Sequence, residues 1–213
     1  MILAFLIFIA FNVSADLRTD LAQAVRSTHH PISYKQANEI LFTKLNKSQG
    51  LICGVYSPLF CLALDGIPSP KVMNIEHTWP QSEGARGDAK SDLHHLFAAT
   101  SFSNSMRGSL PFCNVSVVKW EADQSKRGLN EFLEHCFEPP LQHKGNVARA
   151  LFYFAVRYGA AIDEHQEMYL RSWHKEDLVD DEERFRNREI EKYQNNANPF
   201  IDNPELIDQI SDF

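Results

Sequence analysis

The sequence NIEHTWPQS, from Asn74 to Ser82, contains the most informative residues of the chain. Its acidic residue and histidine, Glu76 and His77, are adjacent, and Pro80 favours the end of an extended segment soon after them. Neighbouring residues of a strand point to opposite faces, so the two side chains can share one cleft only if the strand ends, bends or bulges there. A carboxylate suits a hard cation such as Mg²⁺, and a neutral imidazole can accept a proton near neutral pH. The stretch therefore holds residue types that a hydrolytic metal site at the end of a strand would need.

The dipeptide by itself is weak evidence, because a structural interpretation in which His77 caps a turn explains it equally well. Two further polar segments follow it. The first is SDLHHLF, from Ser91 to Phe97, and the second is SNSMRG, from Ser103 to Gly108. In the second segment Asn104 and Arg107 are one helical turn apart, so the two side chains share a helix face. Together the three segments favour catalysis over a turn cap.

These three segments, with VARALFY at Val147–Tyr153 and NPFID at Asn198–Asp202, resemble the endonuclease I family. The resemblance covers roughly Tyr56 to Pro204, and five blocks in the same order are far more specific than any one of them. Members of this family carry a ββα-metal, or His-Me finger, nuclease core. The resemblance therefore implies an α+β fold, a helix-rich single domain built around such a core.

The resemblance also implies a role for each site residue. It makes His77 the general base, and it makes Glu76 and Asn104 the ligands of one hydrated divalent ion, Mg²⁺, with Mn²⁺ or Ca²⁺ as alternatives. Arg107 would act in catalysis by contacting a phosphate oxygen, and Arg86 is a second candidate for phosphate binding. The implied reaction is the hydrolysis of DNA, and of RNA as a further possibility, to products with 5′-phosphates and with little sequence preference.

His94 and His95 are interpreted as supporting residues that orient the metal shell. One alternative is a zinc hydrolase that uses this pair with Glu76, although no His-Glu-x-x-His helix supports it. The other is a secreted binding module, stabilised by disulfides, in which the same polar residues are structural. Plasmid nicking in the presence of Mg²⁺ separates a nuclease from the binding module.

Residues 1–15 are predicted to form a signal peptide. The apolar run Ile2–Phe11 is followed by Val13-Ser14-Ala15, which fits the small-residue pattern of a cleavage site. A membrane-spanning helix needs roughly 20 apolar residues, so the run is too short for an anchor. We therefore expect residues 16–213 to form the nuclease domain of a periplasmic or extracellular protein, monomeric and without membrane association.

The four cysteines fit export, because an even number of cysteines can pair in an oxidising compartment. Of the three connectivities, we favour Cys53 with Cys61 and Cys113 with Cys136, since each pair is close in sequence. A zinc site is the competing interpretation, but the chain has no Cys-x-x-Cys spacing.

The net charge of −7 is unusual for a protein expected to bind a polyanion. Residues 1–159 carry 15 Lys and Arg against 13 Asp and Glu, whereas residues 160–213 carry 6 against 15. The negative charge is therefore concentrated in the C-terminal segment, and the rest of the chain can present a basic face.

The hydrophobic pattern predicts the secondary structure more coarsely. Helices are expected at Asp16–Leu45, after Gly145, at Glu164–Trp173 and at Asp181–Tyr193, the last one solvent-facing on most of its circumference. Extended segments are expected at Leu51–Leu64, Lys71–Trp79 and Val115–Trp120, and a loop leading into a short helix is expected between Asp92 and Arg107.

Overall fold

The computed structural model describes residues 17–45, 47–48 and 50–213. The predicted signal peptide, residues 1–15, lies outside these residues and stays a prediction, as does the boundary at residue 16. Within the described ranges, no helix combines the length and the apolar character needed to cross a membrane.

The helices, numbered in chain order, are α1 (17–28), α2 (Tyr34–Ile40), α3 (Ser101–Arg107), α4 (Leu141–Tyr158), α5 (Glu164–Glu176), α6 (Asp181–Gln194), α7 (Pro199–Asp202) and α8 (Leu206–Gln209). The strands are β1 (Lys47–Ser48), β2 (Leu51–Gly54), β3 (Ser57–Ala63), β4 (Met73–His77), β5 (Leu96–Thr100), β6 (Val117–Ala122), β7 (Ser125–Leu129) and β8 (His135–Glu138). They form three small antiparallel sheets, with the orders β1-β2-β3, β4-β5 and β6-β7-β8. The class is α+β, as predicted, with more helical than strand residues in the described part of the chain.

The predicted helix at Asp16–Leu45 is in fact two helices, so this prediction was wrong at its centre. Pro31 lies in the break between α1 and α2, because proline lacks an N–H and pushes the preceding residue toward an extended conformation. Ser33 then caps α2 in a capping box with Gln36. The apolar face that suggested one long helix belongs to α2 and to the π-helical turn that continues it to Leu45.

The strand predicted at Lys71–Trp79 is confirmed as β4, but the strand that pairs with it was not predicted. β5 lies where the pattern indicated a loop. The strand was missed because all five of its residues, LFAAT, are buried, so its sequence does not alternate between apolar and polar residues. The pairing runs regularly from Met73 opposite Thr100 to His77 opposite Leu96. The chain passes directly from β5 into α3, where Thr100 accepts a hydrogen bond from the Ser103 N–H as the N-cap.

The main hydrophobic core surrounds α4, which is buried along most of its length. The helix predicted after Gly145 is confirmed, although it begins earlier, after Pro140. Gly145 lies where α4 passes the end of α5, and a Cβ atom there would be 2.1 Å from the Asp177 carbonyl oxygen. The glycine is therefore required by this close approach.

Helix α6 is more buried than its charged sequence predicted. Glu183, Arg186, Asn187, Ile190 and Gln194 are all buried. The Glu183 carboxylate accepts two hydrogen bonds from the Arg149 guanidinium of α4, at 2.7 and 2.6 Å. The sequence pattern could not reveal this, because a paired charge on a buried face looks the same as a solvated one.

Both favoured disulfides are present, Cys53–Cys61 between β2 and β3 and Cys113–Cys136 next to the third sheet. The extended segment predicted at Leu51–Leu64 is confirmed as the β2–β3 hairpin. The strand predicted at Val115–Trp120 is confirmed as β6, while β7 and β8 were not predicted.

Candidate active site

Four of the predicted site residues, Glu76, His77, Asn104 and Arg107, lie around the C-terminal end of β4. No bulge interrupts β4, so Glu76 and His77 leave the strand on opposite faces. Helix α3 covers the Glu76 face, and His77 points to the loop before β5. The two predicted residues therefore flank the strand end from opposite sides.

Glu76 is fully buried, with 1% of its surface exposed, and its contacts converge on one oxygen. The Tyr56 hydroxyl donates to Oε1 at 3.0 Å, and Arg107 Nη1 lies 3.1 Å from the same atom. Burial raises the pKa of Glu76 from 4.5 to about 7, although the Arg107 charge and the Tyr56 hydrogen bond both lower it. The second oxygen, Oε2, takes part in neither of these two contacts.

Asn104, on α3, is oriented by two hydrogen bonds. Its Nδ2 donates to Asn74 Oδ1 at 2.8 Å and to the Ile75 carbonyl oxygen at 3.1 Å. Asn74 and Glu76 are two residues apart on β4 and share a face, so Asn104 lies over the same face as Glu76. With the amide nitrogen bound to the strand, the amide oxygen is the atom directed away from it.

The donor set on this face fits a hard divalent ion. A carboxylate oxygen of Glu76 and the amide oxygen of Asn104 are the kinds of ligand that Mg²⁺ takes from a protein when it keeps several of its waters. No group of three or more His, Cys, Asp or Glu side chains that could hold a metal occurs among the described residues. Glu76 and Asn104 therefore stay the predicted ligands of a site with few protein ligands.

On the other face, a backbone carbonyl holds the His77 ring. Nε2 lies 3.0 Å from the Lys90 carbonyl oxygen, which can only accept, so the proton belongs on Nε2 and the lone pair on Nδ1. Gln81 Nε2 lies 3.4 Å from Nδ1. Burial, then the nearby His95, lowers the pKa of His77 to about 3, so the imidazole is neutral at physiological pH. The chemistry available at Nδ1 is that of a proton acceptor.

Arg107 is buried and already engaged by acceptors of the β4 end. Nη1 donates to the His77 carbonyl oxygen at 3.0 Å, Nη2 donates to the Thr78 carbonyl oxygen at 2.8 Å, and the guanidinium lies over the Phe112 ring. With the Glu76 contact, the side chain bridges three consecutive residues. A phosphate could reach this guanidinium only if the side chain left these partners, so its predicted phosphate role stays a prediction.

Arg86, the second candidate for phosphate binding, is exposed in the loop after β4. Its Nε lies 3.4 Å from the Gln81 carbonyl oxygen, and the Gln81 side chain lies next to His77 Nδ1. Arg86 is therefore tethered on the His77 side of the strand end with its guanidinium open to solvent.

The two adjacent histidines have different environments. The His95 ring packs edge-on against the His77 ring, with centroids 5.7 Å apart, and its Nε2 lies 2.6 Å from the Ala89 carbonyl oxygen. His94 points elsewhere, with Nε2 at 3.0 Å from the Asn196 carbonyl oxygen. These contacts place the His95 ring against the His77 ring. His94 belongs to a separate structural network. Neither contact is to Glu76 or Asn104, the ligands that the pair was predicted to orient.

Sequence reasoning missed four contributors to the site: Tyr56, Asn74, Gln81 and the Lys90 carbonyl. Asn74 could have been found by alternation, since it lies two residues before Glu76. No sequence signal indicates a backbone carbonyl as a partner, and Tyr56 reaches the site only through the tertiary fold.

A comparison with known families gives a match to Endonuclease I over residues 14–205. The chain belongs to the endonuclease I family. The match covers β4, β5 and α3 and also the helices that pack around them.

Three curated relatives are bacterial nucleases. The chain is 40% identical over 158 residues to an extracellular ribonuclease of Bacillus subtilis (strain 168), covering 64% of this chain and 53% of the relative. It is 32% identical over 114 residues to an extracellular deoxyribonuclease of Aeromonas hydrophila, covering 53% and 50%. It is 31% identical over 118 residues to a periplasmic deoxyribonuclease of the same organism, covering 53% and 48%. The chain thus spans about half the length of the curated relatives it matches.

Proposed function

We propose that this protein is a metal-dependent endonuclease that hydrolyses phosphodiester bonds of DNA or RNA with little sequence preference. The observation that carries the proposal is the hydrogen bond from His77 Nε2 to the Lys90 carbonyl, because it leaves Nδ1 as a proton acceptor at the end of the strand whose opposite face carries Glu76 and contacts Asn104. Family membership and relatives named as ribonuclease and deoxyribonucleases support the same reaction class.

The chain's own residues divide the work of the reaction. A divalent ion bound by Glu76 and Asn104 would supply Lewis-acid stabilisation of the charge that develops on the phosphodiester. His77 Nδ1 accepts a proton from the attacking water, whose oxygen bonds to phosphorus as the bond to the 3′-oxygen breaks. The 3′-oxygen leaves with the bonding electron pair and takes a proton from a solvent water to become a hydroxyl, and the phosphate stays on the 5′ end. Arg86 offers its exposed guanidinium to a neighbouring phosphate.

In this proposal Arg107 acts mainly by positioning. Its guanidinium connects the Glu76 carboxylate to the His77 and Thr78 carbonyl oxygens, so it fixes both sides of the strand end relative to each other. A shift of about 1 Å in a reacting group costs on the order of 10²-fold in rate, so such a brace contributes to catalysis without touching the substrate.

We also propose export to the periplasm or the extracellular space. The two disulfides fit an oxidising compartment, and the relatives' names place them outside the cytoplasm. The monomeric state stays a prediction.

The test is cleavage of supercoiled plasmid, single-stranded DNA and RNA by the purified protein with Mg²⁺, Mn²⁺ or Ca²⁺, and with a chelator. We expect nicking that requires a divalent ion and products that accept a 5′ label only after phosphatase treatment. The Glu76→Ala protein, purified in parallel, controls for contaminating nucleases. Cleavage that persists in chelator, or products with 5′-hydroxyls, would contradict the proposed chemistry, and the absence of cleavage with every ion and substrate would favour the binding module.

A further inference from the structure

A second feature lies next to the candidate site, at the start of α3. A cavity of about 260 Å³ opens there between β3, the residues before β4 and the β6–β7 turn. Its walls include two aromatic rings, Phe60 and Phe102, with Val72 and the exposed Lys71. None of these side chains has a role in the reaction proposed above.

The Phe102 ring packs against a neighbouring ring although it faces solvent. The Phe102 side chain is 63% exposed, and Phe60 is 39% exposed. Phe102 packs edge-on against Trp120, with centroids 6.0 Å apart, and Trp120 in turn stacks on Phe137 of β8. An aromatic ring that is rigidly supported but left in water offers a large apolar contact area at little entropic cost.

The polar groups in the cavity are mostly satisfied by one another. The Ser57 hydroxyl lies 2.5 Å from that of Ser103 and 3.2 Å from that of Thr100, and the Thr100 and Ser103 hydroxyls are 3.0 Å apart. The contacts left for a ligand are therefore flat apolar surfaces, the Lys71 ammonium and one carboxylate, Asp123. A planar ring carried on an anionic chain matches this combination.

The cavity is close to the proposed reaction centre. Phe102 comes two residues before Asn104 on the same short helix, so the two side chains leave α3 on different sides. They are separated by roughly the diameter of one helix, about 10 Å, which a few nucleotides of an extended strand can span.

We propose that this cavity is a base-stacking subsite for an unpaired nucleobase of a single-stranded nucleic acid, with Phe102 as the platform and Lys71 near the adjoining phosphate. The proposal rests on the proposed function. Bases within a duplex are stacked on each other, so an exposed ring can stack only on a base of a single strand or of a frayed end. Every base has such a face, so the subsite favours single strands without reading sequence, in DNA and RNA alike.

The test measures binding separately from cleavage, in a His77→Ala background. The probes are single-stranded DNA and RNA containing 2-aminopurine, whose fluorescence falls when it stacks on an aromatic ring, and a duplex of the same sequence. Phe102→Ala and Phe102→Leu are compared with Phe185→Ala, a control at a ring on α6 that is 48% exposed. We expect both Phe102 variants to lose the quenching and to bind single strands about 5- to 100-fold more weakly, with duplex binding unchanged.

The remaining outcomes are also decisive. Single-strand binding and quenching that match the Phe185→Ala control would overturn the subsite, as would a Phe102→Leu protein that retains them, because leucine keeps the apolar surface without the ring. Equal losses for single strands and duplex would overturn the preference for unpaired bases. If the His77→Ala protein binds no nucleic acid at all, the proposed function fails before the subsite is reached.

Discussion

The two sides of the β4 end bury polar groups in opposite ways. On the α3 side, the Glu76 carboxyl group is paired with the Arg107 guanidinium and accepts a hydrogen bond from the Tyr56 hydroxyl, so a buried acidic group lies against a buried cation. On the loop side, His77 is neutral, and its ring contacts the Lys90 carbonyl, the Gln81 side chain and the His95 ring. A carboxylate ligand suits the binding of a cation, and a neutral imidazole suits the removal of a proton, so the two sides of the site differ in the chemistry they offer.

The largest effect is expected from breaking the charged side. Glu76→Ala should remove metal binding and cleavage together, because it deletes the only charged ligand. It also leaves the Arg107 charge buried without its partner, which costs roughly 3–5 kcal/mol of unfolding free energy. Calorimetric titration with Mg²⁺ and urea unfolding measure the two effects. Glu76→Gln keeps the side-chain size, and Mg²⁺ binding by this variant at wild-type affinity would rule out the ligand assignment.

A smaller effect is expected when the hydrogen bonds of Arg107 are weakened but its charge is kept. Arg107→Lys retains a cation beside Glu76, but an ammonium cannot bridge the carboxylate and two carbonyl oxygens as the planar guanidinium does. We expect the cleavage rate to fall about 10²-fold through misplacement, with KM nearly constant. If KM rises instead while kcat is preserved, Arg107 binds the substrate phosphate, as the sequence alone suggested.

Neutral burial of histidine can be tested away from the metal ligands, at His143 on α4. This ring packs against Tyr56 and Phe97, and burial, with Arg186 and Arg149 nearby, lowers its pKa to about 3. Below pH 6.5 the His143 ring binds a proton in the unfolded chain but not in the folded protein. The unfolding free energy therefore decreases as the pH falls from 6.5 toward 3.

The measurement is the difference in unfolding free energy between wild type and His143→Gln from pH 7.5 to pH 4. The carboxyl groups are the same in both proteins, so their contribution to the pH dependence cancels in this difference. The wild type should lose about 1.4 kcal/mol per pH unit relative to the variant once the pH is well below 6.5. His30→Gln, the same substitution at an exposed position, is the matched control. A pH-independent difference for His143→Gln would mean that this histidine is not buried in its neutral form.

The same contrast explains what the sequence could predict. Glu76, His77 and Asn104 were predicted because they form motifs, and β4 was predicted because Pro80 marks the end of an extended segment. β5 was missed because a strand buried on both faces has no alternation. The buried role of Arg107 was missed because its acceptors are backbone carbonyls, which every residue carries, so only the fold shows which of them it meets.

The most direct test of the division between the two sides is His77→Ala, assayed for Mg²⁺ affinity, for binding to nucleic acid and for single-turnover cleavage. Because His77 contacts neither Glu76 nor Asn104 through its ring, we predict metal and nucleic-acid affinities close to those of the wild type, with the cleavage rate at saturating Mg²⁺ reduced about 10²- to 10⁴-fold. His30→Ala is the matched control at an exposed position. Cleavage at the wild-type rate would show that His77 is not the base, and loss of Mg²⁺ binding together with cleavage would show that the two sides of the strand end do not act separately.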